Sequence, residues 1–360
     1  MSNNSATTHN SNNNLEVSCT LLDKYRPSSI EEIIHNEELK EHIISLSKIT
    51  DIPHLILYGP SQSGKKTFIN MFLKEKYGKN SQNLKSNTLE LNNTSKTTFK
   101  YSSSNYHFYV TMKDYNVYDR HIIQNLIKEI SKTKNFFSNY HTIVIDRAEK
   151  LNNDAQQSLL RTMEKYAKNC RIILIVNSDY NLIEPLASRC IQLRLKKPTK
   201  TQIMQILKTI TTKENFTLKQ DILEKIPSLC DNKISKSINF LEFIMVKNNK
   251  IKDLNTAYYE FDIVKKSIDN LIEMLFNNNQ LDFLNEANNM LNDTIIHSTD
   301  PNELFKKIYL TILSHEKFDK NKIKKLVFIT DENYNNLSGH NKPIYHFMDY
   351  YIKCFECIKL

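Results

Sequence analysis

Residues 59–68 read GPSQSGKKTF: Gly59 and Gly64 bracket four residues, and a lysine follows directly. A glycine-rich turn that enters a helix presents successive N–H groups to an anion, and the helix N-terminus adds positive potential. Gly59, Pro60, Ser63, Gly64 and Lys65 fit such a phosphate cradle. The pattern next requires a serine or threonine to hold magnesium, and the chain carries Lys66. One residue further along a helix turns the side chain by about 100°, so Thr67 is expected to point away from the position of Lys66. A second stretch, TIVIDRAE at 142–149, ends a strand on a carboxylate. Asp146 can take the metal side, but the next position, which suits a general-base glutamate, is Arg147. A guanidinium cannot accept a proton, and loss of a positioned base costs about 10²–10⁴-fold. Glu149 would have to reach back. The ammonium of Lys66 is expected near the missing metal, where it helps to hold the phosphates.

The flanking elements suit that chemistry. HLILYG before the loop reads as a short buried strand, and the loop opens a helix. The Asn/Ser-rich stretch from Tyr77 to about Ser104 reads as a loop or hairpin excursion, and YHFYVTM alternates like a strand. Ile122, Ile123, Leu126, Ile127 and Ile130 mark a helix; strand 142–146, helix 153–168 and strand 171–177 follow. Strands alternating with helices predict an α/β core with a parallel sheet. Beyond Pro198 the pattern is helical. The expected layout is a disordered tail over 1–20, a nucleotide-binding core over 21–197, a small helical lid over 198–256 and a helical domain over 257–360.

The bounds agree. A chain of 360 residues with 40% hydrophobic content can build more than one core. Its apolar runs fall far short of the ~20 residues that span a bilayer, so no membrane association is expected. The N-terminus lacks the basic start and apolar core of a secretory signal. The six cysteines, among them the lone CxxC of Cys354 and Cys357, lack the density of a disulfide framework, and no metal site is expected. A formal charge of +9 favours an anionic partner. Two polar stripes recur every three to four positions: Arg120, Gln124, Lys128 and Lys132, then Gln157, Arg161, Lys165 and Lys168. Periodicity alone makes these solvated helix faces.

Taken together, DKYRP (23–27), the loop ending GKKT, SSNYHFYV, DRHIIQ, DAQQSLLRTMEKY and SRC (188–190) resemble the small subunits of replication factor C, the eukaryotic sliding-clamp loader, from about residue 21 to the end. The resemblance implies an AAA+ P-loop core, a lid and a helical collar that joins the subunits of a heteropentamer. It also implies a nuclear location, with the other replication factor C subunits, the sliding clamp PCNA and primer–template DNA as partners. GKKT, SNYH and IYHFMDYYIKCF point to a subunit type whose nucleotide site is degenerate and structural. By resemblance, Tyr25 and Arg26 lie near the adenine and Asn177 is a polar sensor. The arginine that ATPase members carry near Ser235 is missing. Arg189 is an arginine finger offered to a neighbouring subunit, and Arg161 assists there or contacts DNA. The resemblance turns Arg120, Gln124, Lys128, Arg161 and Lys165 into DNA contacts. ADP or ATP is the implied ligand, and whether magnesium accompanies it stays open. A competent ATPase that uses Thr67 and Glu149, and an unrelated P-loop kinase, are the competing readings.

Overall fold

The computed structural model describes residues 20–91, 97–112, 123–133, 135–177, 182–247, 253–277, 280–296, 301–313, 320–339 and 343–359. The tail expected over 1–20 lies outside them except for Thr20. The chain opens with α1 (Leu21–Lys24) and α2 (Glu37–Lys48), followed by β1 (His54–Tyr58) and α3 (Lys65–Tyr77). Strands β2 (Lys85–Leu91), β3 (Thr97–Ser103) and β4 (His107–Thr111) precede α4 (Lys128–Lys132). Then come β5 (His141–Asp146), α5 (Asn153–Lys165), β6 (Cys170–Val176), α6 (Glu184–Ala187) and β7 (Cys190–Arg194).

The strands form one sheet in the order β2-β3-β4-β5-β6-β1-β7. From β4 to β7 all neighbours pair parallel. The remaining pairs, β2–β3 and β3–β4, are antiparallel, so the sheet is mixed rather than parallel throughout. A parallel connection needs a crossover of a dozen residues or so, and residues 104–106 between β3 and β4 are too few. Strand β7 gave no sequence signal. It is a sheet edge with Ile191 exposed and Leu193 alone among its residues buried, which leaves no apolar run to read.

Both faces of the sheet are covered, which is why its inner strands read as continuous apolar runs. Ile143, Ile145, Ile172, Leu174 and Val176 pack on Ala155, Leu159 and Met163 of α5. Their alternates, Val144, Ile173 and Ile175, pack with Leu55 and Leu57 against Phe68 and Phe72 of α3. The helix expected to run on to Lys168 ends at Lys165, because Tyr166 caps it and β6 begins at Cys170. The earlier helix begins, within the described residues, as a π-helical turn over Ile123–Ile127 before α4. A widened turn there means that residues four apart no longer stack strictly on one face.

The rest is helical: α7 (Lys200–Lys213), α8 (Gln220–Leu229), α9 (Ile234–Val246), α10 (Leu254–Phe261), α11 (Ile263–Asn277), α12 (Gln280–Ile296), α13 (Pro301–Leu313), α14 (Lys320–Gly339) and α15 (Pro343–Lys359). Two clusters divide these helices. The first joins Ile203, Leu207, Leu223, Ile226, Phe240 and Leu241, and it also takes in Ala257 and Tyr258 with Phe261 against them. Helix α10 therefore crosses the boundary expected at 256/257 and packs with the lid. Leu21, Leu22 and Tyr25, counted with the core from sequence, lie on the same lid cluster, since a four-residue helix must bury its apolar side chains on another element. The second cluster gathers Leu271, Ile272, Leu304, Phe305, Phe347, Tyr350 and Tyr351, with Cys354 and Cys357 buried in it. Among the described residues no helix is long and apolar enough to cross a membrane.

Candidate nucleotide site

Strand order positions the site. Strand β6 lies between β1, which leads into the glycine-rich loop, and β5, which ends on Asp146. The residue that follows β6, Asn177, therefore stands between the loop and the acid at the carboxyl ends of the strands, where open α/β sheets bind ligands.

The loop is held from behind. A Cβ on Gly59 would stand 2.4 Å from the carbonyl oxygen of Leu195, so only glycine lets the loop pass beneath the end of β7. Gly64 caps α3 with φ +97°, a conformation that side chains rarely adopt. The Ser63 hydroxyl donates to the Pro60 carbonyl at 2.7 Å. His35, which the sequence gave no reason to choose, places Nε2 3.0 Å from the Ser63 carbonyl and its ring edge-on to Phe68. Burial lowers the His35 pKa, against the Ser63 contact, and so favours the neutral ring.

The two lysines of GKKT take different partners. Lys65 is buried, and its ammonium donates to the carbonyls of Gly59 (2.7 Å) and Pro60 (2.8 Å) and to Asn177 Oδ1 (2.9 Å). Burial pushes its pKa down to about 8, against the opposing pull of Glu149 and Asp146. The Lys66 ammonium instead lies 2.7 Å from Asp146 Oδ2. Glu149 does turn back toward the loop, but its Oε1 accepts from Asn177 Nδ2 at 2.8 Å. Burial raises the pKa of this carboxyl. Arg147 begins the turn beyond β5 with φ +57°.

Beside them opens a cavity of about 910 Å³. Gly64, Lys65, Lys66, Thr67, Asp146 and Asn177 line it, as do Tyr25 and Arg26 from the N-terminal segment. Gly59, Pro60 and Ser63 do not; they shape the loop. Thr67 lines the cavity too, yet Lys66 is the residue that meets Asp146. Tyr25 is fixed by its hydroxyl, which donates to Glu214 Oε1 at 2.7 Å, and Arg26 pairs with Asp23 at 2.8 Å. From the lid and beyond come cations that sequence reading missed: Lys233, Lys236 and Lys307. Lys236 stands beside Ser235, where the missing arginine was sought. Its ammonium donates to Asp262 Oδ2 and to the Tyr258 hydroxyl, both at 2.6 Å. Burial alone would lower its pKa, but these bonds together with the charges of Asp262 and Tyr258 hold it above the usual lysine range.

Size, basic lining and a loop of N–H donors at a helix N-terminus fit a nucleoside polyphosphate. Magnesium does not fit in the same way. The loop offers an ammonium where a hydroxyl ligand belongs, and Asp146 already meets that ammonium. Among the described residues no three His, Cys, Asp or Glu side chains gather into a metal-binding group.

Arg189 is not among the lining residues. It lies between α6 and β7, with its side chain exposed, Nη2 2.7 Å from Glu164 Oε1 and Nη1 donating to the Pro185 carbonyl at 2.9 Å. Arg161 is exposed one turn before Glu164 on α5, so Arg161 and Arg189 share one surface region. Gln157 and Lys165 are exposed along the same helix, and Lys168 is exposed beyond its end. Lys128 and Lys132 are exposed on α4. Arg120 lies outside the described residues, as does the side chain of Gln124.

A glycine-rich loop after β1, an acid ending β5, a strand between the two and a helical lid over the cavity define an AAA+ P-loop fold. Residues 35–199 match the family described as DNA polymerase III, delta subunit. Replication factor C subunit 5 of Schizosaccharomyces pombe is 31% identical over 354 residues, which cover 94% of this chain and 97% of that one. The protein of the same name from Saccharomyces cerevisiae is 30% identical, covering 94% and 99%. Replication factor C subunit 3 of Homo sapiens is 32% identical over 63% of this chain and 65% of its own. The chain belongs to the replication factor C subunit family. Among solved structures, the Thermotoga maritima RuvB Holliday junction branch migration motor aligns with 69% of this chain and 80% of its own, at 15% identity and a TM-score of 0.48.

Proposed function

We propose that the chain is the replication factor C small subunit called three in animals and five in yeast. It acts in the nucleus within a heteropentamer that loads the sliding clamp PCNA onto primer–template DNA. It binds ADP or ATP structurally, and its Arg189 completes the ATPase site of a neighbour. The observation that carries the cis half is the 2.7 Å contact between Lys66 and Asp146 with Arg147 as the next residue. A site without the hydroxyl ligand and the adjacent base binds phosphate without the means to activate water.

Exposure of Arg189 supports the trans half. An arginine supplied to a neighbour's phosphates accelerates transfer by about 10³–10⁵-fold. Tyr25, Arg26, Lys65, Thr67 and Asn177 hold the nucleotide from the cavity walls, and Gly59, Pro60, Ser63 and Gly64 shape the cradle. Lys128, Arg161 and Lys165, with Arg120 and Gln124, follow the DNA backbone. No residue in these stripes is dedicated to bases, so binding is structure-specific and salt-sensitive.

Coexpression with the other replication factor C subunits tests the assignment. A stable five-subunit complex that binds PCNA and primed DNA, with affinity falling steeply as salt rises, is the expected result. Recovery as a monomer with phosphotransfer activity would contradict it.

A further inference from the structure

Asp146 ends an inner strand, is 2% exposed, and has the Lys66 ammonium 2.7 Å from Oδ2. A buried carboxylate is costly unless a counter-charge or hydrogen bonds compensate it, and here that charge comes from the loop itself. The Lys66 side chain is half exposed and lines the cavity beside Asp146, with its ammonium on the carboxylate. Magnesium demands near-octahedral oxygen ligands at about 2.0–2.1 Å. An ammonium offers three donors and no acceptor, and it repels a dication approaching the carboxylate that it touches.

The remaining walls supply the neutralisation that a metal would otherwise provide. Lys65 reaches into the cradle, and Arg147, Lys150, Lys233 and Lys307 line the space, against Asp146 and Asp262 as the lining carboxylates. The charge of a di- or triphosphate can therefore be met by side chains alone.

We propose that this cavity takes a nucleoside di- or triphosphate without a divalent cation, the Lys66 ammonium serving as a built-in counter-ion between Asp146 and the phosphates. The inference rests on the reading of the cavity as a structural nucleotide site and adds that its occupancy is blind to magnesium.

The test measures the dissociation constants of fluorescent ADP and ATP for the full chain, once in excess magnesium and once in excess EDTA. Wild type is expected to change by less than about threefold between the two conditions. Lys66→Ser, which restores the hydroxyl and vacates Asp146, is expected to lose about tenfold or more in EDTA. Lys66→Met, which restores no hydroxyl, is expected to bind weakly in both. A loss of about tenfold or more for wild type in EDTA overturns the metal-free proposal and leaves the structural site standing. Absence of binding in both conditions overturns the two together. The wild-type comparison alone decides the matter if a variant fails to fold.

Discussion

The guanidinium of Arg189 rests 2.7 Å from the carboxylate of Glu164, with both side chains nearly half exposed. An exposed ion pair of this kind is worth about 0–1 kcal/mol. It orients Arg189 in the separate subunit and yields it readily to a stronger anion, as the proposed role toward a neighbour's phosphate requires. Glu164→Gln should therefore change the ATP turnover of the assembled loader by less than about threefold, because only a weak pair is lost. Steady-state turnover with primed DNA and clamp checks this; a collapse comparable to that of Arg189→Ala would make Glu164 an essential part of the finger.

Lys65 gives the cavity a pH dependence. Its pKa lies near 8 in the folded chain and about 10.4 in the unfolded one. Between those values the unfolded chain holds the proton and the folded chain does not, so stability of the nucleotide-free protein rises with pH through that window. Phosphate favours the ammonium and raises the pKa of Lys65 in the complex, so binding takes up a proton above pH 8. Nucleotide affinity is expected to be flat near neutrality and to fall by up to about tenfold per unit above the folded value. Lys65→Met should bind more weakly and lose that slope. Affinity measured from pH 7 to pH 9.5 decides, and a flat wild-type profile would contradict the assignment.

Lys236 and Asp262 fasten the lid to the start of α11. Their side chains are 16% and 12% exposed and 2.6 Å apart, with the Tyr258 hydroxyl on the same ammonium. Burial opposes ionisation of Asp262, but the hydrogen bond and charge of Lys236, with Lys307 and the Lys265 N–H, together outweigh it, so the carboxyl pKa is lowered. The contribution of Asp262 is thus complete above the unfolded carboxylate value and is lost as pH falls through the lower folded one. Removing one partner strands the other: Lys236→Met should cost about 3 kcal/mol. The double variant Lys236→Met with Asp262→Leu should recover much of that loss. Denaturant melts of wild type, Lys236→Met, Asp262→Leu and the double variant measure it, and additive losses would show that the two residues do not act as a pair.

Much of this was legible in the sequence because it lies in local spacing. The loop with the lysine in the hydroxyl's place, and the acid ending β5 with Arg147 after it, are each short runs of letters, and Ile143–Ile145 and Ile172–Val176 advertise buried strands. What escaped depends on tertiary contact. His35 supports the loop from 28 residues upstream. Lys236 and Lys307 reach the cavity from helices whose own periodicity says nothing of a nucleotide. The boundary expected at 256/257 falls inside α10, because Ala257 and Tyr258 satisfy a helical pattern equally well in either helical cluster, and only packing against Phe240 places them with the first. Strand β7, short and on the edge, lacks the alternation that pattern reading needs.

The most direct test of the central claim compares two variants in the reconstituted five-subunit loader, through clamp- and DNA-stimulated ATP turnover. If the cavity is structural and Arg189 serves a neighbour, Arg189→Ala lowers turnover sharply and Lys65→Ala barely changes it. A comparable loss with Lys65→Ala in an intact complex would mean that this subunit hydrolyses ATP itself, with Thr67 and Glu149 replacing the missing ligand and base.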